Sequence, residues 1–451
     1  MKKFTILLSV LFIIFSSNNN SSAQVFWNEV ASGVTVSLNS VSNVNGSVAW
    51  ACGQNGTVIK TVNGGYNWIN VSGNGIPNVI NLVNIYAVDA NIALTSGNFG
   101  ITTSYIYRTS NGGSNWTQVF TQNNGYINAI WMTTSAIGFM EGNPVGGRWS
   151  LWKTSNGGIN WDSTGLYLSQ TATETGWNNS MWIDTNKIWF GTNNSKLYYS
   201  TNFGSAWTFQ SISPETNSYM ICFDRPIVMY GLTGGQTLYR TTNRGLNWLN
   251  VTISGTGNFI GAAIDMNIYN CAWVIRNSNT IYRSYLPYTN WMTDYTAPAG
   301  NYTHMSMSRQ VIIGSGVIYA VRSNGGISRG NGTFEGVRIL SSEIPASFNL
   351  YQNYPNPFNP QTHFKFEIPY LKNNNPGEIL GSQIVIKVYD VMGRVVETLL
   401  DQVTKPGIYE TSWDGSKYSS GIYFYQVYVK DPRFVNSEPE HIATKKMVLI
   451  K

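Results

Sequence analysis

Two kinds of side chain in this sequence are equipped for chemistry on a ligand, scattered carboxylates and a surplus of tryptophans. Cleaving a glycosidic bond takes two carboxyl groups on either side of it. Asp89, Asp184, Asp224 and Asp265 read as one repeated strand-end position, and Glu141 interrupts the pattern within MEGNPVGGRW (Met140–Trp149), close to Arg148. Glu141, Asp184 and Asp224 are the weak catalytic candidates, because a carboxylate repeated at strand ends is more simply a turn residue. Metal and nucleophile chemistry has less to offer. His304 is the one histidine before residue 340, His363 and His441 follow it, and there is no His-x-x-x-His or Cys-x-x-Cys spacing. No metal site, cofactor or Ser-His-Asp triad is expected.

Of the 16 tryptophans, 15 precede residue 340, and Trp131, Trp149, Trp152, Trp177, Trp182 and Trp189 crowd one short stretch. Flat aromatic faces among Asn, Thr and Gln suit neutral sugars, whose apolar faces stack while amides bond the hydroxyls. Trp131, Trp182 and Trp149, with Arg148, are therefore the ligand-binding candidates. Ordinary packing between structural units is the competing explanation.

The elements that must position these residues repeat. TVNGGYNW (Thr61–Trp68), TSNGGSNW (Thr109–Trp116), TSNGGINW (Thr154–Trp161), STNFGSAW (Ser200–Trp207) and TTNRGLNW (Thr241–Trp248) are copies of one octapeptide, and SYLPYTNW (Ser284–Trp291) is a decayed sixth. Their tryptophans are 48, 45, 46, 41 and 43 residues apart, the length of one four-stranded propeller blade. Each octapeptide reads as a hairpin turn between a third and a fourth strand. Asn63, Asn111, Asn156, Asn202 and Asn243 would bond backbone N–H groups, and Gly65, Gly113, Gly158, Gly204 and Gly245 would take positive φ. Trp68, Trp116, Trp161, Trp207 and Trp248 would cover the blade edge. RSNGGISR (Arg322–Arg329) reads as a seventh copy that has lost its tryptophan, and FWNEV (Phe26–Val30) as a fourth strand without a box. A strand from the N-terminus is expected to complete the last of seven blades, with Trp27 where Arg329 breaks the pattern. In that alignment Trp131 and Trp182 share a first-strand position with Ala87, Cys222 and Ala263, facing the central channel.

These octapeptides resemble the Asp-box, or BNR repeat, of sialidase-like, sortilin-like and photosystem II assembly-factor-like propellers, with Asn in place of the Asp. The resemblance covers about residues 26–330 and implies a fold, not an activity. It also implies that the boxes sit on the blade periphery, away from the binding face. The Phe/Tyr-Arg-Ile-Pro segment of a sialidase is absent after Gln24.

Both ends carry separate signals. Lys2 and Lys3, the apolar run Phe4–Phe15 and Ser21-Ser22-Ala23 read as a signal peptide over residues 1–23, cleaved between Ala23 and Gln24; no segment is long and apolar enough to span a bilayer. Residues 24–340 are then the propeller. From 341 to 451, prolines, alternating apolar runs and glycine turns suggest a small antiparallel, Ig-like sandwich. Its motifs, SSEIPASFNLYQNYPNPFNPQTHFKFEIP (Ser341–Pro369), IKVYDVMGRVV (Ile386–Val396), GIYETSWDGS (Gly407–Ser416) with SSGIYFYQV (Ser419–Val427), and KKMVLIK (Lys445–Lys451), resemble the type A C-terminal sorting domain of the type IX secretion system of Bacteroidetes. YLKNNNPGEILGSQ (Tyr370–Gln383) is an insertion relative to that pattern. The resemblance implies recognition by outer-membrane secretion machinery and an extracellular or outer-membrane-surface location.

The net charge of +6 is spread over a chain with only 11% charged residues, so no basic patch suggests nucleic acid. Cys52, Cys222 and Cys271 each lie in an apolar run and read as buried thiols, with a Cys222–Cys271 bridge as the alternative. The function expected is non-catalytic binding of a glycan or a protein. A sialidase-like glycoside hydrolase is the alternative.

Overall fold

The computed structural model describes residues 25–451 except 101–102, 225–228, 266–270, 286, 310–315, 333–337, 342, 370–381, 405 and 431–438. The expected signal peptide, the Ala23–Gln24 cleavage site and most of the Tyr370–Gln383 insertion lie outside the described residues.

Short β-branched and aromatic runs separated by Asn-Gly turns form antiparallel meanders. Blade 1 shows the plan, with strands Leu38–Asn43, Ala49–Gly53, Val58–Thr61 and Ile69–Asn70 paired in chain order. The first strands of blades 2 to 7 are Asn81–Ala87, Ile127–Met132, Gly176–Asp184, Met220–Phe223, Phe259–Asp265 and Tyr302–Met307. Blade 3 has three full strands. Its outer edge is made by isolated bridges from Lys153 to Asp162 and from Arg148 to Ser169.

Blade 7 is assembled from both ends of the propeller. The closing strand Val25–Val30 pairs antiparallel with Ile327–Gly332, which pairs in turn with Val317–Arg322. Two aromatic and acidic side chains latch it. Trp27 donates its indole N–H to Asp294 in blade 6 at 2.7 Å and stacks on Tyr295. Glu29 accepts from Ser328 at 2.7 Å and pairs with the buried Arg322. RSNGGISR is not a seventh box. It turns between the second and third strands of blade 7, so the true box position falls where the chain changes ends. Three residues of Asn-Gly-Gly serve any tight hairpin, which is why the motif misleads there.

The boxes share one hydrogen-bond pattern. Thr61 Oγ1 accepts the Gly65 N–H at 2.9 Å and donates to Asn63 Oδ1, which accepts the Asn67 N–H at 3.0 Å. The same bonds recur around Asn111, Asn156, Asn202 and Asn243. The carbonyl oxygen of Asn suffices for this bonding, and no charge is needed. Gly113 shows what the glycines allow: φ is 86°, and a Cβ there would sit 2.7 Å from Val71 Cβ of the preceding blade. The box is thus pressed against its neighbour. In the sixth copy Tyr288 takes the glycine position at φ 63° and drives its ring into the space between blades 5 and 6.

Apolar cores lie between adjacent blades. Trp50 meets Trp116 edge-on at 6.0 Å, and Trp149 packs on Phe190 at 4.8 Å. All three cysteines are buried and none is disulfide-bonded, so the alternative Cys222–Cys271 bridge is not formed.

At the C-terminal end, two four-stranded antiparallel sheets form a sandwich around Phe364, Phe366, Ile386, Trp413, Tyr425 and Val427. Its first strand, Arg338–Ser341, pairs with Gly407–Asp414. The sandwich therefore begins at Arg338, slightly before the boundary expected at 341.

Candidate functional site at the mouth of the central channel

The innermost strand of every blade lines one central channel. Pairing with the second strands gives the register. Ala87 faces Ala93, Met132 faces Gly138, Ile183 faces Ile188 and Phe223 faces Gly231. The residue one step earlier lies on the cavity lining in each blade: Ser42, Tyr86, Trp131, Trp182, Cys222, Ala263 and Ser306. The sequence alignment was therefore one residue out in blade 2, where Tyr86 and not Ala87 belongs to the set. The correction adds a third aromatic. Tyr86, Trp131 and Trp182 form an arc on three consecutive blades, with ring centroids 5.7 and 5.1 Å apart and interplanar angles of 49° and 58°.

Polar groups complete the mouth. The Arg309 guanidinium lies 4.1 Å from the Tyr86 ring centroid, donates to Ser42 Oγ at 3.0 Å and also donates to the Ala87 carbonyl. Ser306, Ser308 and Asp265 lie on the same lining. Deeper in, Asn179 adopts φ 64° and reaches from blade 4 to blades 1 and 2. Its Oδ1 accepts from Ser40 Oγ at 2.9 Å and from Asn84 Nδ2 at 2.7 Å. His304 Nδ1 accepts the Val41 N–H at 3.1 Å, which puts the proton of the neutral ring on Nε2. Burial pulls the His304 imidazole down to about 4, so it is uncharged at neutral pH. The cavity has a volume of about 150 Å³.

The other candidates lie elsewhere. Trp149 is fully buried against Phe190 and Tyr198 between blades 3 and 4, because its strand is the third of blade 3 and cannot face the channel. Arg148 is exposed on that strand's outer end, 5.9 Å from the Tyr167 ring. Glu141 is sealed in blade 3, with Asn128 donating to Oε2 at 3.4 Å, and it forms no pair with Arg148. Burial pushes its carboxyl up to about 8. Asp224 is buried, accepts the Tyr230 N–H at 2.8 Å and is shifted upward by burial. Asp184 closes the first hairpin of blade 4 opposite Lys187. Asp89 is one residue beyond the position shared by Asp184, Asp224 and Asp265, and it caps its turn by accepting the N–H groups of Asn91 and Ile92. Asp265 is the single carboxylate among the described residues lining the channel.

Sequence reasoning missed Tyr86, Asn179 and Arg309. Counting back from the second-strand residue Ala93 would have found Tyr86. Asn179 announces itself only as an interruption in GWNNSMW, and Arg309 by nothing in its neighbourhood.

The molecule is thus a seven-bladed β-propeller followed by a small β-sandwich, and the regular structure of the described residues is all in strands apart from one short 3-10 turn. Residues 352–436 match the secretion system C-terminal sorting domain, which marks export by the type IX system to the cell surface or extracellular space. Solved structures similar to the propeller include YCF48 from Cyanidioschyzon merolae, at 15% identity and TM-score 0.54, covering 67% of this chain and 98% of that one. A YCF48 bound to D1 peptide matches at 15% identity and TM-score 0.53, with 68% and 99% covered. The WD40 β-propeller domain of Doa1 matches at 11% identity and TM-score 0.50, with 68% and 97% covered. At such identities the likeness is one of fold. Among curated protein sequences there is no significant match to this chain. Among the described residues, no helix is long and apolar enough to cross a membrane.

Proposed function

We propose that the exported propeller is a non-catalytic binding module whose channel mouth takes a neutral carbohydrate. The observation that carries this reading is the Tyr86–Trp131–Trp182 arc sharing one cavity with Ser42, Ser306, Asn84, Asn179 and His304. Sugar rings have apolar faces for the arc and hydroxyls for the polar side chains of the lining. Hydrolysis is disfavoured on chemical grounds, since both mechanisms need two facing carboxyl groups and only Asp265 among the described lining residues is one.

The test is isothermal titration of the exported chain against neutral oligosaccharides, with reducing ends assayed in parallel. Binding without new reducing ends is expected. Trp131→Ala and Trp182→Ala should each weaken it by about tenfold, equivalent to ~1.4 kcal/mol, while the melting transition survives. New reducing ends would revive the hydrolase.

A second reading, a polypeptide ligand, draws on one structural relative being described as bound to a peptide and on Met181, Met305 and Met307 in the lining, since methionine walls adapt to varied side chains. It predicts that binding to peptides survives loss of the tryptophans.

A further inference from the structure

The channel does not keep its bore along its length. Asn179 stands in left-handed backbone geometry within an irregular stretch of the first strand of blade 4, where register shifts between Gly176 and Met181. That kink carries its amide across the axis. Besides the bonds from Ser40 and Asn84, its Nδ2 donates to the Asn39 carbonyl at 3.4 Å and to the Val83 carbonyl at 3.3 Å. One side chain of blade 4 is therefore held by blade 1, on the opposite side of the ring, and by blade 2. Asn84 Oδ1 is itself occupied by the Ile130 N–H at 3.0 Å, which ties blade 3 into the same cluster. Among the described residues, the cavity lining stops at this level. The starts of the first strands, such as Leu38, Leu82, Ile127 and Tyr302, are buried but take no part in it. The site is a funnel with an amide floor.

A long polymer bound along its middle needs a groove open at two ends, so that the chain enters and leaves. Here the wall is contributed by all seven blades, and the aromatic arc occupies only one sector of it. Resting on the carbohydrate reading above, we infer that the funnel binds the end of a neutral glycan chain, not its interior. The terminal unit stands in the cavity with a face against Trp131 and Trp182. Its free hydroxyl, which an internal unit spends on a linkage, meets the floor at His304 Nε2 and the second Asn84 amide hydrogen, since the Asn179 amide is filled by its four bonds to blades 1 and 2. His304, uncharged and protonated on Nε2, is a donor there.

The experiment compares chain ends at constant mass. The full exported chain is titrated with dextran, laminarin, mannan and xylan, each before and after partial acid hydrolysis, and with maltohexaose beside its cyclic hexamer. For whichever polymer binds, end recognition predicts that binding per gram rises in proportion to the chain ends created, and that a cyclic chain does not compete. Asn179→Ala, checked for an intact melting transition, should narrow the difference between long and short chains by opening the floor. Binding per gram that is unchanged by hydrolysis, or a cyclic hexamer equal to the linear one, overturns end recognition and leaves the carbohydrate reading standing. Absence of binding to every glycan overturns both.

Discussion

At Glu141 a carboxyl group has been taken out of water with only one weak hydrogen bond to compensate it. Desolvation is the main reason that its titration moves from 4.5 to about 8, against the opposing effect of Asn128. The folded chain keeps a proton that the unfolded chain releases. The favourable contribution is therefore complete below pH 4.5 and is lost as pH rises through 8. Glu141→Gln keeps the shape and removes the ionisation. It should flatten the fall in stability over that window and exceed the wild type at pH 8 by roughly 2–4 kcal/mol, measured by urea unfolding at a series of pH values. An unchanged pH profile would show that water reaches the carboxylate. His304 acts in the opposite sense, with a contribution present above 6.5 and lost as pH falls toward 4. The cysteines should be inert to thiol reagents until the fold opens, because burial pushes Cys52 up to about 12 and Cys271 upward as well.

At the scale of the element, the box joins one blade to the next. Gly113→Ala would have to accommodate a methyl group against Val71 in a left-handed backbone and should cost roughly 1–3 kcal/mol, read as a lower melting temperature with glycan binding intact. The closing strand makes a sharper case. Glu29→Ala leaves Arg322 buried without its carboxylate and should cost about 2–4 kcal/mol. Glu29→Gln, which still accepts from Ser328, should recover part of that loss. Such elements were largely legible in the sequence, because a turn writes its backbone requirements into Asn and Gly at fixed spacing, five times over. The channel was legible only in part. Trp131 and Trp182 follow from the repeat, whereas Tyr86 was hidden by a one-residue misalignment and Asn179 by being an exception to the pattern. Trp149 looked as available as its neighbours because composition does not say which strand of a blade faces the axis. RSNGGISR looked like a box because hairpins of different rank use the same three residues.

For the whole molecule, two modules divide the labour. The sandwich carries the export signal, and the propeller carries the cavity. Removing everything from Arg338 onward should leave the propeller in the periplasm, detectable as protease protection in intact cells alongside loss of surface labelling. Normal display of the truncated chain would overturn the role of the sorting domain. The channel variants should behave differently, reaching the surface in normal amounts while losing ligand.

The latch between the two ends of the propeller also sets an order of events in time. Ser328 and Glu29 are 299 positions apart along the chain, so the strand that emerges first waits for nearly the whole propeller before it finds its partner. Until then, two hydrogen-bonding edges stand open to any passing strand. A contact of such separation is among the slowest a chain can make. Arrival of Ile327–Gly332 therefore acts as a clock for the passenger. Only after that moment does a closed ring exist to be handed to the outer membrane, and a cell short of periplasmic chaperones should lose this protein to proteolysis before it loses proteins whose ends meet early.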